Sequence, residues 1–173
     1  MANFIASPGD FLRGSIKVPG DKSISHRSIM LGSIANGVTN VSGFLEGEDS
    51  LATLNAFKDM GVKIEREGSN VVINGVGMNG LRPSLKPLNL GNSGTSIRLM
   101  TGLLSAQSFD STLCGDESLS KRPMARIIDP LSEMGAIIKS SDSMPPLSIS
   151  GNQKLSALKY TLPVASAQIK SCL

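Results

Sequence analysis

Lys22, Ser23 and Arg27 stand close together in the stretch Pro19-Gly20-Asp21-Lys22-Ser23-Ile24-Ser25-His26-Arg27. They bring an ammonium, a hydroxyl and a guanidinium to what reads as the start of a helix. The preceding run Ser15-Ile16-Lys17-Val18 alternates as a strand, and Pro19-Gly20 breaks it. Beyond Ser23, Ile24, Ile29, Met30 and Ile34 recur at steps of mixed length up to the stop signal Asn36-Gly37. The unpaired N–H groups and positive dipole end of such a helix favour a phosphate or carboxylate, and Lys22 and Arg27 add formal charge. The expected chemistry is capture of a phosphorylated ligand.

Two further helix starts have the same character. Asn92-Ser93-Gly94 precedes a helix over Ser96 to Ala106 that carries Arg98, and Gly94 lets a ligand approach the backbone closely because it has no Cβ. Ser166, Ala167 and Gln168 open a third helix. Arg122 lies in the loop before a further helix, expected to begin with Pro123 at its first position. Arg98, between Ile97 and Leu99, is expected to brace neighbouring loops. His26, the only histidine, is expected to support the site by hydrogen bonding rather than to act as a general base. Asp49 and Asp116 sit where helix-start carboxylates normally sit, so they are not read as an acid/base pair.

The elements that position these residues read as strand, helix, strand, helix, strand, strand, and the order occurs twice. In the first round come a strand over Val38 to Ser42, a helix from Glu48 to Met60 with Leu51, Leu54, Phe57 and Met60 in one stripe, and a hairpin of Val62 to Arg66 with Asn70 to Ile73. In the second come Leu88 to Leu90, the Arg98 helix, a strand over Phe109 to Cys114, a helix from Pro123 to Met134, and a hairpin of Ala136 to Lys139 with Pro146 to Ser150. His26 to Met30 falls on Ile97 to Met100, and Lys58-Asp59-Met60-Gly61 on Ser132-Glu133-Met134-Gly135, which predicts an internal duplication. A third round begins with a strand over Leu158 to Pro163 and the helix at Ser166. The expected divisions are 1–20, a lead-in segment; 21–80, the first βαβαββ unit; 81–155, the second; and 156–173, the start of a third that is cut off. From that break the chain reads as part of a longer polypeptide.

Composition narrows the function further. The chain has 173 residues, 40% hydrophobic and 18% charged, with a net charge of +3, which suits a folded α/β protein and not a broad basic face for nucleic acid. One Tyr, five Phe and no Trp leave few stacking platforms for single strands. Cys114 and Cys172 lie in no metal-ligand spacing, so no metal, cofactor or disulfide is expected. The N-terminus has no export-signal pattern and the chain no long apolar run, so no membrane partner is expected and the expected location is the cytoplasm.

Four signatures in order resemble one family. Gly20 to Arg27, Leu90-Gly91-Asn92-Ser93-Gly94-Thr95-Ser96-Ile97-Arg98, Lys121-Arg122-Pro123-Met124 and Ala165-Ser166-Ala167-Gln168-Ile169-Lys170-Ser171 are similar to the motifs of the 5-enolpyruvylshikimate-3-phosphate synthases, with Ala167 resembling the class II branch. The resemblance covers the chain. It implies an inside-out α/β barrel built from βαβαββ units, a two-domain enzyme with its site in the cleft, and residues 1–20 partly associated with the other domain. It implies that the 5-hydroxyl of shikimate-3-phosphate attacks phosphoenolpyruvate, giving a tetrahedral intermediate that loses phosphate without a metal. Carried over residue by residue, Lys22, Ser23, Arg27, Ser166, Ala167 and Gln168 would hold shikimate-3-phosphate. Lys22, Gly94, Arg122 and Gln168 would hold phosphoenolpyruvate, with Lys22 in an electrostatic catalytic role.

The family's enzymes are more than twice as long. The resemblance puts the catalytic carboxylates and further basic residues in that other half, which makes the C-terminal half a partner of this chain and predicts no turnover by the chain alone. Two other readings compete. UDP-N-acetylglucosamine enolpyruvyl transferase shares the fold, but Lys22 followed five residues later by Arg27 favours the shikimate enzyme. A non-catalytic phosphate-ligand or RNA-binding module would need exposed aromatics or a basic stripe.

Overall fold

The computed structural model describes residues 3–9, 11 and 13–173. Within the expected lead-in segment 1–20, Met1, Ala2, Asp10 and Leu12 lie outside the described residues.

The first helix, α1, runs Lys22–Ile34. Asp21 caps it by accepting from the Ile24 N–H at 2.7 Å, which satisfies one of the four unpaired donors at a helix start and contributes about 1 kcal/mol. Then follow β1 (Asn36–Val41), α2 (Glu48–Asp59), β2 (Lys63–Glu67) and β3 (Asn70–Val76). The strands form an antiparallel sheet in the order β1-β3-β2. Leu54, Phe57 and Met60 of the expected stripe are each at most 3% exposed, with Leu51 packed against them.

The second round gives β4 (Leu88–Asn89), α3 (Gly94–Ser105), β5 (Ser111–Cys114), α4 (Glu117–Ser120), α5 (Ala125–Glu133), β6 (Ile138–Ser141) and β7 (Met144–Ile149). Its sheet runs β4-β5-β7-β6, with β4 parallel to β5. The segment β5-β7-β6 thus repeats the order β1-β3-β2, and both second helices end at a glycine with left-handed φ, Gly61 and Gly135. Asp142 and Ser143, both at positive φ, make the two-residue turn between β6 and β7, whose twist matches that of the flanking strands. Last comes α6 (Ala167–Cys172), capped by Ser166. Helices and sheets share one core, with Ile29, Phe57, Ile73, Ile97, Met100, Leu113, Met124 and Leu147 fully buried.

Four expectations are corrected. Ser15 to Val18 is not a strand: Ile16 is 90% and Val18 71% exposed, and no strand among the described residues pairs with it, so alternation alone had nothing to bond to. Leu158 to Pro163 likewise forms no strand. The helix after Arg122 starts at Ala125 with Met124 as its cap, because the Met124 N–H is taken by the Ser143 carbonyl at 2.8 Å and Pro123 stays outside. The loop before it contains α4, capped by Asp116, whose carboxylate accepts from Leu119 N–H at 2.7 Å.

Helix α6 is seated by a glycine. A Cβ on Gly102 would fall 2.0 Å from the Cys172 carbonyl oxygen, so the two backbones touch. Alanine in place of a helical glycine ordinarily gains about 1 kcal/mol, but here the overlap dominates. Gly102→Ala is expected to destabilise the chain by roughly 1–3 kcal/mol in urea unfolding and to speed amide exchange in α6 selectively; an unchanged midpoint would mean that the close packing is absent.

Candidate functional site

Helices α1 and α3 meet at their first turns, α6 lies along α3 with its own start beside Thr95, and side chains tie the three together. Arg27, one turn into α1, donates to Ser171 Oγ of α6 at 2.8 Å and to the Ser23 carbonyl at 3.3 Å. Gln168 of α6 donates from Nε2 to Thr95 Oγ1 of α3 at 3.0 Å and accepts from Arg98 Nη1 at 3.3 Å. Ser166 caps α6 by accepting from Ile169 N–H. Ser23 and Ala167 are exposed beside these contacts.

At the start of α3 two cations crowd one glycine. A Cβ on Gly94 would lie 2.8 Å from Arg98 Nη1 and 3.1 Å from Arg122 Nη1. Arg98 also donates to the Gly94 and Pro123 carbonyls at 3.0 and 3.4 Å, the bracing expected of it. Arg122 is held by Asn92 Oδ1 and by Ser118 Oγ. Burial, and then the neighbouring Arg122 and Arg126 guanidiniums, push the Arg98 guanidinium down from its ordinary range. Like charges gathered at a helix N-terminus are relieved by an anion. The Asp116 carboxylate of this loop accepts from the Leu119 N–H and from Asn92 Nδ2 at 3.0 Å; the Leu119 bond, foremost, and with a smaller share the Arg122 charge hold it below the usual carboxylate range.

Lys22 is not a free cation, which sequence reasoning missed. Its Nζ is paired with Asp49 Oδ2 at the start of α2. With Lys22 half exposed, such a pair stabilises by only about 0.2–1 kcal/mol, so its consequence is positional: the ammonium is aimed along the α1 start. Asp49 as a helix-start carboxylate was legible; its partner 27 residues away was not.

Behind these groups lies a buried polar knot. His26, Thr53, Ser93 and Ser96 are each at most 1% exposed. Thr53 Oγ1 lies 2.8 Å from His26 Nδ1 and 2.6 Å from Ser96 Oγ, and Ser96 Oγ lies 2.6 Å from Ser93 Oγ. Thr53 donates to the Asp49 carbonyl at 3.1 Å, so its oxygen accepts from the others. Nδ1 also lies 3.2 Å from Ser96 Oγ; a proton on Nδ1 reaches both hydroxyl oxygens and leaves the lone pair on Nε2, the atom without a protein partner, and this assignment is the cheaper one because an orphaned acceptor costs less than an orphaned donor. His26 supports the site by hydrogen bonding, as expected.

An open groove of about 940 Å³ lies beside the site, lined by Lys17, Gly20, Phe44, Glu46 and Asn70 among others. It contains none of Arg27, Gly94, Arg122 and Gln168, so the convergence of side chains, not concavity, marks the candidate site.

The neutral state of His26 carries a pH signature. Burial first, and then Lys22 and Arg27, hold its pKa below 6.5 against the opposing pull of Asp49. The unfolded chain therefore binds this proton more readily than the folded one, so stability is full above about pH 6.5 and falls as pH drops below it. Thermal melts between pH 7.5 and 5.5 should show this loss, and His26→Asn, which can still reach Thr53, should flatten it. An equal slope in both would exclude a buried neutral His26.

Comparison with known proteins agrees with this architecture. A family model described as EPSP synthase (3-phosphoshikimate 1-carboxyvinyltransferase) matches residues 6–173. The 3-phosphoshikimate 1-carboxyvinyltransferase of Ruthia magnifica subsp. Calyptogena magnifica is 66% identical over 173 residues, covering 100% of this chain and 40% of the relative. That of Nitrosococcus oceani is 59% identical over 172 residues, covering 98% and 39%. The solved EPSP synthase of Acinetobacter baumannii superimposes with a TM-score of 0.88 at 59% identity, over 92% of this chain and 36% of that one. The chain thus spans about 40% of the length of the curated relatives it matches. No helix among the described residues is long and apolar enough to cross a membrane. With its two like-ordered sheets and its helix starts matched along the whole chain, it belongs to the EPSP synthase family.

Proposed function

We propose that this chain supplies the phosphate-holding part of a site that transfers the carboxyvinyl group of phosphoenolpyruvate to the 5-hydroxyl of shikimate-3-phosphate, releasing phosphate. The observation that carries the reading is the pair of guanidiniums over Gly94, a charge arrangement that calls for an anion, beside the Lys22 and Arg27 helix start. Shikimate-3-phosphate lies across Lys22, Ser23, Arg27, Ser166, Ala167 and Gln168, with Ala167 contributing backbone. Phosphoenolpyruvate lies at Gly94 with Lys22, Arg122 and Gln168. Both substrates are anions, so bringing them together requires fixed cations and N–H donors to offset their repulsion and orient them. The names of the matching relatives favour this reading over the UDP-N-acetylglucosamine and RNA-binding alternatives. The like order of the two sheets supports the division into units at 21–80 and 81–155, with 156–173 opening a third. The acid/base groups come from the remainder of a full-length enzyme, the partner of this chain.

A phosphate-release assay tests the reading. This chain mixed with the remaining portion of the Ruthia magnifica relative should turn over only when both substrates are present, and the chain alone should not. Turnover by the chain alone would overturn the division of labour, and none in the mixture, with both parts folded, would overturn the assignment. In the active mixture Lys22→Ala should weaken the use of both substrates by about 10²-fold. A rise in one Michaelis constant alone, with turnover intact, would show that Lys22 serves a single ligand.

A further inference from the structure

The two subsites just described are built on different helices, and something must fix their separation. Lys22 starts α1 and is aimed by Asp49 of α2, whereas Gly94 starts α3 and is capped by Ser93. Neither the exposed Lys22–Asp49 pair nor the helix caps joins α2 to α3. The buried knot does. Thr53 sits one turn into α2, on the same helix as Asp49, and its hydroxyl meets His26 of α1 and Ser96 of α3 at 2.8 and 2.6 Å. Ser96 in turn meets Ser93, the cap before Gly94, at 2.6 Å.

We infer that the Thr53 hydroxyl is a positioning group that holds the α2 start against α1 and α3, so that Asp49 aims Lys22 at a fixed distance from the Gly94 subsite. Thr53 is fully buried and touches neither subsite, so it acts only through Asp49, His26 and Ser96. Two of its contacts leave its own helix for residues 27 and 43 positions away and a third closes the turn on the Asp49 carbonyl, which is more bonding than a helix-surface threonine needs to be satisfied. Serine at this position keeps the hydroxyl; valine keeps the shape and removes it. Without it, His26 and Ser96 keep only their direct contact at 3.2 Å, which joins α1 to α3 but not to α2, and in a buried network such a loss shifts the element that has been let go.

The inference rests on the proposed function for its ligand but not for its first measurement. That measurement is the acetylation rate of the Lys22 ammonium in the intact 173-residue chain, followed by mass spectrometry, with thermal melts to verify folding. Asp49→Asn sets the rate of an unaimed Lys22. Thr53→Val should accelerate labelling by at least about threefold, Thr53→Ser should stay near the parent, and the double variant should label no faster than Asp49→Asn alone, because effects that run through one contact do not add. Ser96→Ala, which cuts the same link from the α3 side, should move in the direction of Thr53→Val and serves if the valine variant does not fold. Parent-like labelling in Thr53→Val or Ser96→Ala, or multiplied effects in the double variant, would overturn the inference. Protection of Lys22 by shikimate-3-phosphate, weaker in Thr53→Val than in the parent, is the second arm. Failure of the ligand to protect the parent chain would count against the proposed function alone.

Discussion

The starts of α1 and α3 are packed together with α6 alongside, and they gather Lys22, Arg27 and Arg98 on one side of the chain, where Arg122 joins Arg98 from the turn between α4 and α5. Everything else in the site answers that concentration of charge. The Asp49 carboxylate takes up Lys22, Asn92 and Ser118 restrain Arg122, and carbonyls of Gly94 and Pro123 restrain Arg98. The one carboxylate that acts on this pair is Asp116, which pulls on Arg122 across Asn92. Two guanidiniums against one carboxylate leave a surplus of positive charge, and a half-buried position makes it felt more strongly than at an open surface. Neutral hydrogen bonds fix geometry without cancelling charge, which is the arrangement suited to holding an anion that arrives and leaves.

The apolar framework beneath the site is plain in the residues. The three-step spacing of Leu51, Leu54, Phe57 and Met60 admits only one buried helix face, whereas the caps Asp21 and Ser93 start their helices one and two residues earlier than the pattern alone placed them. Glycine after Met60 and again after Met134 marks the same stop in both rounds. Where local pattern had no partner, it misled: Ile16 and Val18 alternate as a strand would, but a strand is a relation between two segments, and only one was visible. Asp116-Glu117-Ser118 carried a helix-start signal, yet α4 is so short that its apolar content is a single Leu119.

The knot was illegible for another reason. Thr53, Ser93 and Ser96 are small polar residues, each unremarked on a helix or at a cap, and their meaning comes from burial together across 43 residues of sequence. Spacing rules see one helix at a time. His26 was distinguishable as the only imidazole, but its tautomer follows from counting protons on hydroxyls that tertiary packing alone assembles. The same holds for Arg98 and Arg122, whose shared glycine could be named in advance while their convergence on it could not.

The contact between Gly102 and Cys172 has a chemical side. Burial pushes the Cys172 thiol up to about 12, so at neutral pH it stays protonated and unreactive while α6 is seated. The other thiol, Cys114, is half-buried at the end of β5 and is also raised by burial. The chain accordingly carries a built-in reporter: alkylation at Cys172 counts the moments when α6 lifts from α3, and thus when Gln168 leaves Thr95 and Arg98 without their bridge.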